Sequence, residues 1–157
     1  MLRMSKLADY GTIVMAYMAQ DPVKVCSAVE IATNSGLELP TVSKILKLLA
    51  RNELVVSRRG PGGGYMLAHQ PREISVADII DAIEGQPMGL TECGSMPGLC
   101  MRESSCSVRA NWQWISYVIR ATLRRVTLAE LAHPLPQNVD VEAIHHEITE
   151  PSEATSM

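Results

Sequence analysis

Three of the four cysteines in this chain fall in one stretch, Cys93-Gly-Ser-Met-Pro-Gly-Leu-Cys100-Met-Arg-Glu-Ser-Ser-Cys106. The pattern is Cys-x6-Cys-x5-Cys. Thiolates are soft ligands, and a Gly/Pro-containing loop can wrap around what they hold. Both features suit an iron–sulfur cluster, and the Met and Leu residues of the loop would limit the access of water. Zinc competes, although a structural zinc site usually shows close Cys-x2-4-Cys pairs plus a fourth Cys or His. The nearest downstream histidine here is His133. Disulfides would leave one of the three thiols unpaired, and a nucleophilic cysteine needs a histidine that does not stand nearby in the sequence. Spacing alone leaves a cluster, zinc and no metal all open. Cys26 lies apart and reads as a small packed residue.

A second set of residues could meet a polyanion. Arg58 and Arg59 precede Gly60-Pro-Gly-Gly-Gly64. Glycines such as Gly62 and Gly63 let a backbone approach a phosphate closely, and the arginines supply charge beside it. No Gly-Lys-Ser/Thr follows, so this is not a phosphate-binding nucleotide loop. Upstream, Lys44, Lys47 and Arg51 recur at helical spacing and could reach phosphates. Glu38, Thr41 and Ser43 lie where side chains can meet base edges, and a glutamate accepts from a cytosine amine. A solvated helix face would contain the same residue types. The charge distribution favours the polyanion. Residues 1–72 carry nine Lys/Arg against five Asp/Glu, a net +4, and residues 73–157 carry five against twelve, a net −7.

The elements that must position these residues are legible from periodicity and capping. Ser5 caps a helix over about 6–20, with Leu7, Tyr10, Val14, Tyr17 and Met18 on one face. Ser27-Ala-Val-Glu30 fits a capping box, and Asn34-Ser35-Gly36 ends a short helix. The next helix begins near Pro40 and runs to about Asn52, burying Val42, Ile45, Leu46 and Leu49. Two short helices joined by a tight turn form a helix-turn-helix. Strands over 54–58 and 64–68 flank the glycine-rich tip and read as a wing. Ser75 and Asp78 open a further helix ending at Gly85. A long helix over about 107–126 repeats Val108, Trp112, Ile115, Ile119, Leu123 and Val126, with Arg120 and Arg124 elsewhere on it. Pairing with its copy in a second subunit would bury that stripe; folding back onto its own domain is the alternative. Thr127 and Glu130 open a last short helix.

The fold expected is mainly α with a small β-hairpin wing. A winged helix-turn-helix domain spans 1–85, a cysteine loop 86–106, a dimerisation helix with a short C-terminal helix 107–133, and an acidic, disordered tail 134–157. No apolar run approaches the roughly 18 residues of a membrane span, and the start lacks the pattern of a secretory signal. A cytoplasmic location with reduced thiols is therefore expected, with no membrane partner.

The order of features resembles the Rrf-type family of bacterial winged-helix regulators, which includes IscR-like and NsrR-like members and regulators of SUF cluster-assembly operons. The resemblance covers roughly residues 1–133. Its most specific stretch is Ser57-Arg-Arg-Gly-Pro-Gly-Gly-Gly-Tyr65, followed by Ile-Glu-Gly at 83–85 and the three-cysteine loop. The start, MLRMSKLADYG, looks closest to the SUF-regulator branch.

The resemblance implies a non-enzymatic homodimer with crossing long helices that binds a double-stranded DNA operator. It also implies a 2Fe-2S or 4Fe-4S cluster held by Cys93, Cys100 and Cys106. The fourth ligand of IscR-like members is a histidine three residues after the last cysteine; that position is Arg109 here, and arginine cannot serve. NsrR-like members use an aspartate from the other subunit, and Asp9 stands at the matching place. First-turn dipole stabilisation is the plain role for Asp9. The spacing of six residues between the first two cysteines departs from the family's five. The function implied is a repressor sensing cluster or redox and nitrosative status, controlling SUF-type assembly genes. A cluster carrier without specific DNA binding, and a zinc-stabilised DNA-binding protein, are the alternatives.

Overall fold

The computed structural model describes residues 4–96 and 98–133. In chain order the elements are α1 (Lys6–Ala19), α2 (Ala28–Ser35), α3 (Leu39–Arg51), β1 (Val55–Arg58), β2 (Gly64–Leu67), α4 (Val76–Glu84), α5 (Glu92–Ser95), a single 3-10 turn (Glu103–Ser105), α6 (Arg109–Arg125) and α7 (Leu128–Leu131). The fold is mainly helical with one two-stranded antiparallel hairpin, β1 against β2, in which Val55 faces Leu67 and Arg58 faces Gly64. The expected acidic tail, 134–157, lies outside the described residues.

Local signals explain where most helices begin. Ser5 Oγ accepts from Ala8 N, and Ser27 Oγ accepts from Glu30 N. Ser75 with Asp78 and Thr127 with Glu130 form complete capping boxes, each satisfying donors that a helix start leaves orphaned. At Ser27 the Glu30 carboxylate is drawn mainly elsewhere. Lys24 Nζ donates to it at 2.5 Å and Tyr17 Oη at 3.3 Å, which ties α2 to α1. The Lys24 bond comes first among the causes that hold the Glu30 carboxyl below its usual range. α3 starts one residue before Pro40, with Glu38 as an N-cap that makes no side-chain bond.

A single core joins these elements. Val14, Met15, Ile31, Val42, Ile45, Leu46, Leu49, Ile74, Ile79 and Leu128 are all buried within it. Each such aliphatic side chain contributes about 1.5–3 kcal/mol by leaving water. α1 buries a face turned slightly from the one its large residues predict: Ala8, Gly11, Val14, Met15 and Met18 are inside, while Leu7, Tyr10 and Tyr17 flank them. The cause is Gly11. A Cβ there would lie 3.0 Å from Ile83 Cγ1, so the bare backbone lets α4 come close.

The C-terminal part of the described chain returns to this core. Val76 N donates to Val126 O and Leu128 N donates to Ile74 O, at 2.9 and 2.7 Å. Leu128 is fully buried as a result. α6 packs on α4, where Arg120 pairs with Asp81, and Leu123 leans on the core; its buried residue, Ser116, faces Leu90 and Gly94 instead. Trp112, Trp114, Tyr117 and Val118 remain exposed on the same helix. Among the described residues no helix is long and apolar enough to cross a membrane.

Candidate DNA interface and cysteine segment

α2 and α3 form the helix-turn-helix. Gly36 takes φ +68° at the end of α2, a conformation that suits glycine, and Leu37 N donates back to Ala32 O at 3.2 Å. The turn sends α3 off with Val42, Ile45, Leu46 and Leu49 inward. Lys44, Lys47 and Arg51 are exposed on the other side, as is Glu38 at the start; Thr41 and Ser43 are half-buried. The Glu38 carboxylate is not consumed by capping and is free for an outside donor.

The wing tip is a turn that its glycines make possible. Gly60 and Gly62 have φ of +104° and +76°, and Gly63 N donates to Gly60 O at 2.8 Å. A Cβ on Gly63 would sit 2.5 Å from Arg58 O. Arg58 and Arg59 are exposed at this tip. The start of β2, close to the wing tip, is stapled to the body by a feature that the sequence reading missed. Cys26 N donates to Tyr65 O and Tyr65 N to Cys26 O, both at 2.8 Å. A Cβ on Gly64 would come within 2.3 Å of Cys26 O, so this close approach needs glycine. A glycine inside a strand, Gly64 at the start of β2, is the signal that could have found it. Cys26 itself is buried, and burial pushes its thiol pKa up.

The cysteine segment is anchored at one end. Cys93 is buried on α5, with its Sγ 3.3 Å from Thr91 Oγ1. Leu90 N donates to Ser116 Oγ at 3.1 Å, and Gln113 Nε2 donates to the Cys93 carbonyl at 3.2 Å. Gly94 lies flat on Ser116, where a Cβ would meet Oγ at 2.4 Å. Cys100 and Cys106 are half-buried. Between them the Glu103 carboxylate accepts from Gly98 N at 2.5 Å and pairs with Arg109 at 2.8 Å. Arg109 is thus engaged within the segment, although its buried Nε has no partner among the described residues.

The four thiols are free. Their chemistry fits an iron–sulfur ligand set, since three soft donors share one glycine-containing segment and two of them are partly accessible. Their positions are not yet those of a ligand set: among the described residues no three His, Cys, Asp or Glu side chains converge to hold a metal ion. Asp9 stands exposed on the first turn of α1 and is not gathered with the cysteines. The start of α1 is nevertheless close by. Met4 and Ser5 line a cavity of about 480 Å³ together with Leu90, Ser95 and Trp112.

Comparison with known proteins places this architecture. The family model described as "Rrf2: Iron-dependent Transcriptional regulator" matches residues 4–134. The HTH-type transcriptional regulator IscR of Serratia proteamaculans is 30% identical over 136 residues, covering 84% of this chain and 80% of the relative. The putative HTH-type transcriptional regulator BadM of Rhodopseudomonas palustris is 31% identical over 130 residues, covering 83% and 81%. Among solved structures, CymR, titled the global cysteine regulator of B. subtilis, superposes with a TM-score of 0.66 at 28% identity, covering 84% of this chain and 97% of that one. T. potens IscR does so with a TM-score of 0.62 at 26% identity, covering 96% and 93%. Winged helix, family match and named relatives agree: the chain belongs to the Rrf2 family, whose members are transcriptional regulators and not enzymes.

Proposed function

We propose that the chain acts as a homodimer on a double-stranded DNA operator and reads iron–sulfur or redox and nitrosative status through Cys93, Cys100 and Cys106. The observation that carries this reading is the seat of the cysteine segment. Three free thiols lie on one stretch that rests directly on α6, and α6 packs on α4 of the winged-helix body. A change in what the thiols hold therefore has a short mechanical route to the DNA-binding elements. The genes most in keeping with the resemblance are those of SUF-type cluster assembly, under repression.

The residues take the following parts. Arg58 and Arg59, with Gly62 and Gly63, bring the wing to phosphates; Lys44, Lys47 and Arg51 do the same along α3. Glu38, Thr41 and Ser43 face base edges. Cys93, Cys100 and Cys106 hold an iron–sulfur cluster, of the 2Fe-2S or 4Fe-4S kind, whose bonds would tie α5 to the start of α6. Asp9 of a second copy completes the ligand set. A carboxylate oxygen is harder than a thiolate and holds iron less firmly, which suits a cluster meant to be lost or altered. The exposed Trp114, Tyr117 and Val118 of α6 offer the second copy an apolar surface.

The deciding experiment is analysis of iron, zinc and acid-labile sulfide per chain in protein isolated without oxygen. Iron and sulfide in near-equal amounts, lost in Cys100→Ala while the fold is kept, are expected. Zinc without sulfide would overturn the sensing part and leave DNA binding intact. Operator binding by Arg59→Ala should show a log–log salt slope smaller by about one than the parent. An unchanged slope removes Arg59 from the phosphate contacts.

A further inference from the structure

A short run of hydrogen bonds connects the cysteine segment to the C-terminal end of α3. It begins at Cys93 and Leu90, which are held by Gln113 and Ser116 of α6. One turn further along the same face of α6, Arg120 Nε donates to Asp81 Oδ2 of α4 at 3.1 Å, and Arg120 Nη2 donates to the same oxygen. The other oxygen of Asp81 accepts from Met88 N at 2.7 Å, in the connection that leads into the cysteine segment. One carboxylate thus fixes three pieces: α4, the start of the segment and α6. Next to it on α4, the Ala82 carbonyl accepts from Asn52 Nδ2 at 3.2 Å, and the same Nδ2 donates to Leu48 O at 3.0 Å. Asn52 is the C-cap of α3.

Two further features mark this junction. The Asp81 and Arg120 side chains are only 19% and 26% exposed, so their bond is sheltered from water on most sides. A groove of about 350 Å³, open to solvent, lies against Asn52, Asp78, Asp81, Ala82 and Pro87. Close-packed interiors do not let elements slide, and this joint is not packed on its groove side, which leaves room for a second arrangement.

We propose that Asp81 and Arg120 are positioning residues that pass the state of the cysteine segment to the C-terminal end of α3. This rests on the reading above, in which residues 93–106 take the signal and α3 meets DNA. When the segment shifts on α6, Arg120 and Met88 pull on the two oxygens of one carboxylate. α4 then carries the shift to the Asn52 cap through Ala82. A purely structural pair would stabilise the body without linking the two ends, so the test reads the link itself.

The test uses the metal-free full chain and amide hydrogen exchange, so it does not depend on a cluster. Gly94→Ala disturbs the seat of the segment on Ser116: its new Cβ would meet Ser116 Oγ at 2.4 Å, so either that hydroxyl turns away from Leu90 N or the segment shifts. Coupling predicts that this substitution speeds exchange at residues 48–54 by about fivefold or more. In an Arg120→Met background, adding Gly94→Ala should change exchange at 48–54 by less than about twofold. Arg120→Lys should restore part of the response. If Gly94→Ala does not fold, Ser116→Ala loosens the same contact and is read in the same way. Faster exchange confined to residues 89–96 and 113–116, or an equal effect with and without Arg120, overturns the proposal. Absence of iron and sulfide from the native protein would sink the sensing reading and leave this result untouched.

Discussion

Ser5, Ser27 and Ser75 each cap a helix of the winged-helix body with a hydroxyl on a backbone N–H, whereas Thr91 makes no such bond at the start of α5. The body buries Ile45, Leu46 and Leu49 completely; among the described residues between Thr91 and Val108 the buried side chain is Cys93. The body's helices run for 8 to 14 residues, while the segment offers a four-residue helix and a three-residue turn. In the body, local preference and core packing support the same arrangement. The segment instead takes its position from distant residues on α6 and from a Glu103–Arg109 pair. Such a segment can rearrange at little cost to the body, as the proposed sensing role requires.

The contrast can be broken most forcefully in the core. Leu46→Ala should destabilise the chain by about 2–5 kcal/mol in chemical denaturation, while Leu99→Ala, at a half-exposed site, should stay within about 0.5 kcal/mol. A comparable loss at Leu99 would mean that the segment is packed as firmly as the body. Thiol reactivity gives a smaller, sharper measure. In the folded metal-free chain, Cys100 and Cys106 should be alkylated at least about tenfold faster than Cys26 and Cys93, a difference equivalent to about 1.4 kcal/mol of local opening. Burial also keeps the Cys26 thiol protonated to higher pH. Equal rates at all four would contradict the anchoring of Cys93. At the lower end, Ser75→Ala should cost about 1 kcal/mol by removing a capping box, against about 0.5 kcal/mol or less for Thr91→Ala. Thermal unfolding of the two variants side by side would separate them.

The residues that name the elements lie close together in sequence, which is why the elements are legible. Ser27, Gly36 and Pro40 bracket the helix-turn-helix, and Arg58 to Gly64 announce the wing, because caps, left-handed turns and fixed φ are properties of single residues and their near neighbours. The expected strand and helix ends lie within a residue or two of those observed. What is harder to read is which face a helix turns inward. The large residues of α1 point to Leu7, Tyr10 and Tyr17, but Ala8 and Gly11 are inside because small residues let α4 approach. Hydrophobicity ranks these small residues low, so a pattern search passes over them.

α6 shows the same limit from the polar side. Its apolar repeat draws the eye to Trp112, Ile115 and Ile119, while the side chains that bind it to the rest of the chain are Gln113, Ser116 and Arg120. They matter because Leu90 N, the Cys93 carbonyl and the Asp81 carboxylate need partners, and that need is visible only once the segment and α4 lie against the helix. By itself, the sequence determined the order and type of the elements outside 86–106, where a loop is expected and α5 and a 3-10 turn stand; it also determined the exposed basic residues of α3 and the wing, and the three thiols gathered in one stretch, since each follows from local chemistry. Only the tertiary structure decided that Cys26 staples the wing, that Gly94 rests on Ser116, and that Asp81 joins three elements. Apart from the Asp81–Met88 bond, seven positions apart, those contacts link residues about 20 to 40 positions apart, and no local rule acts over such separations.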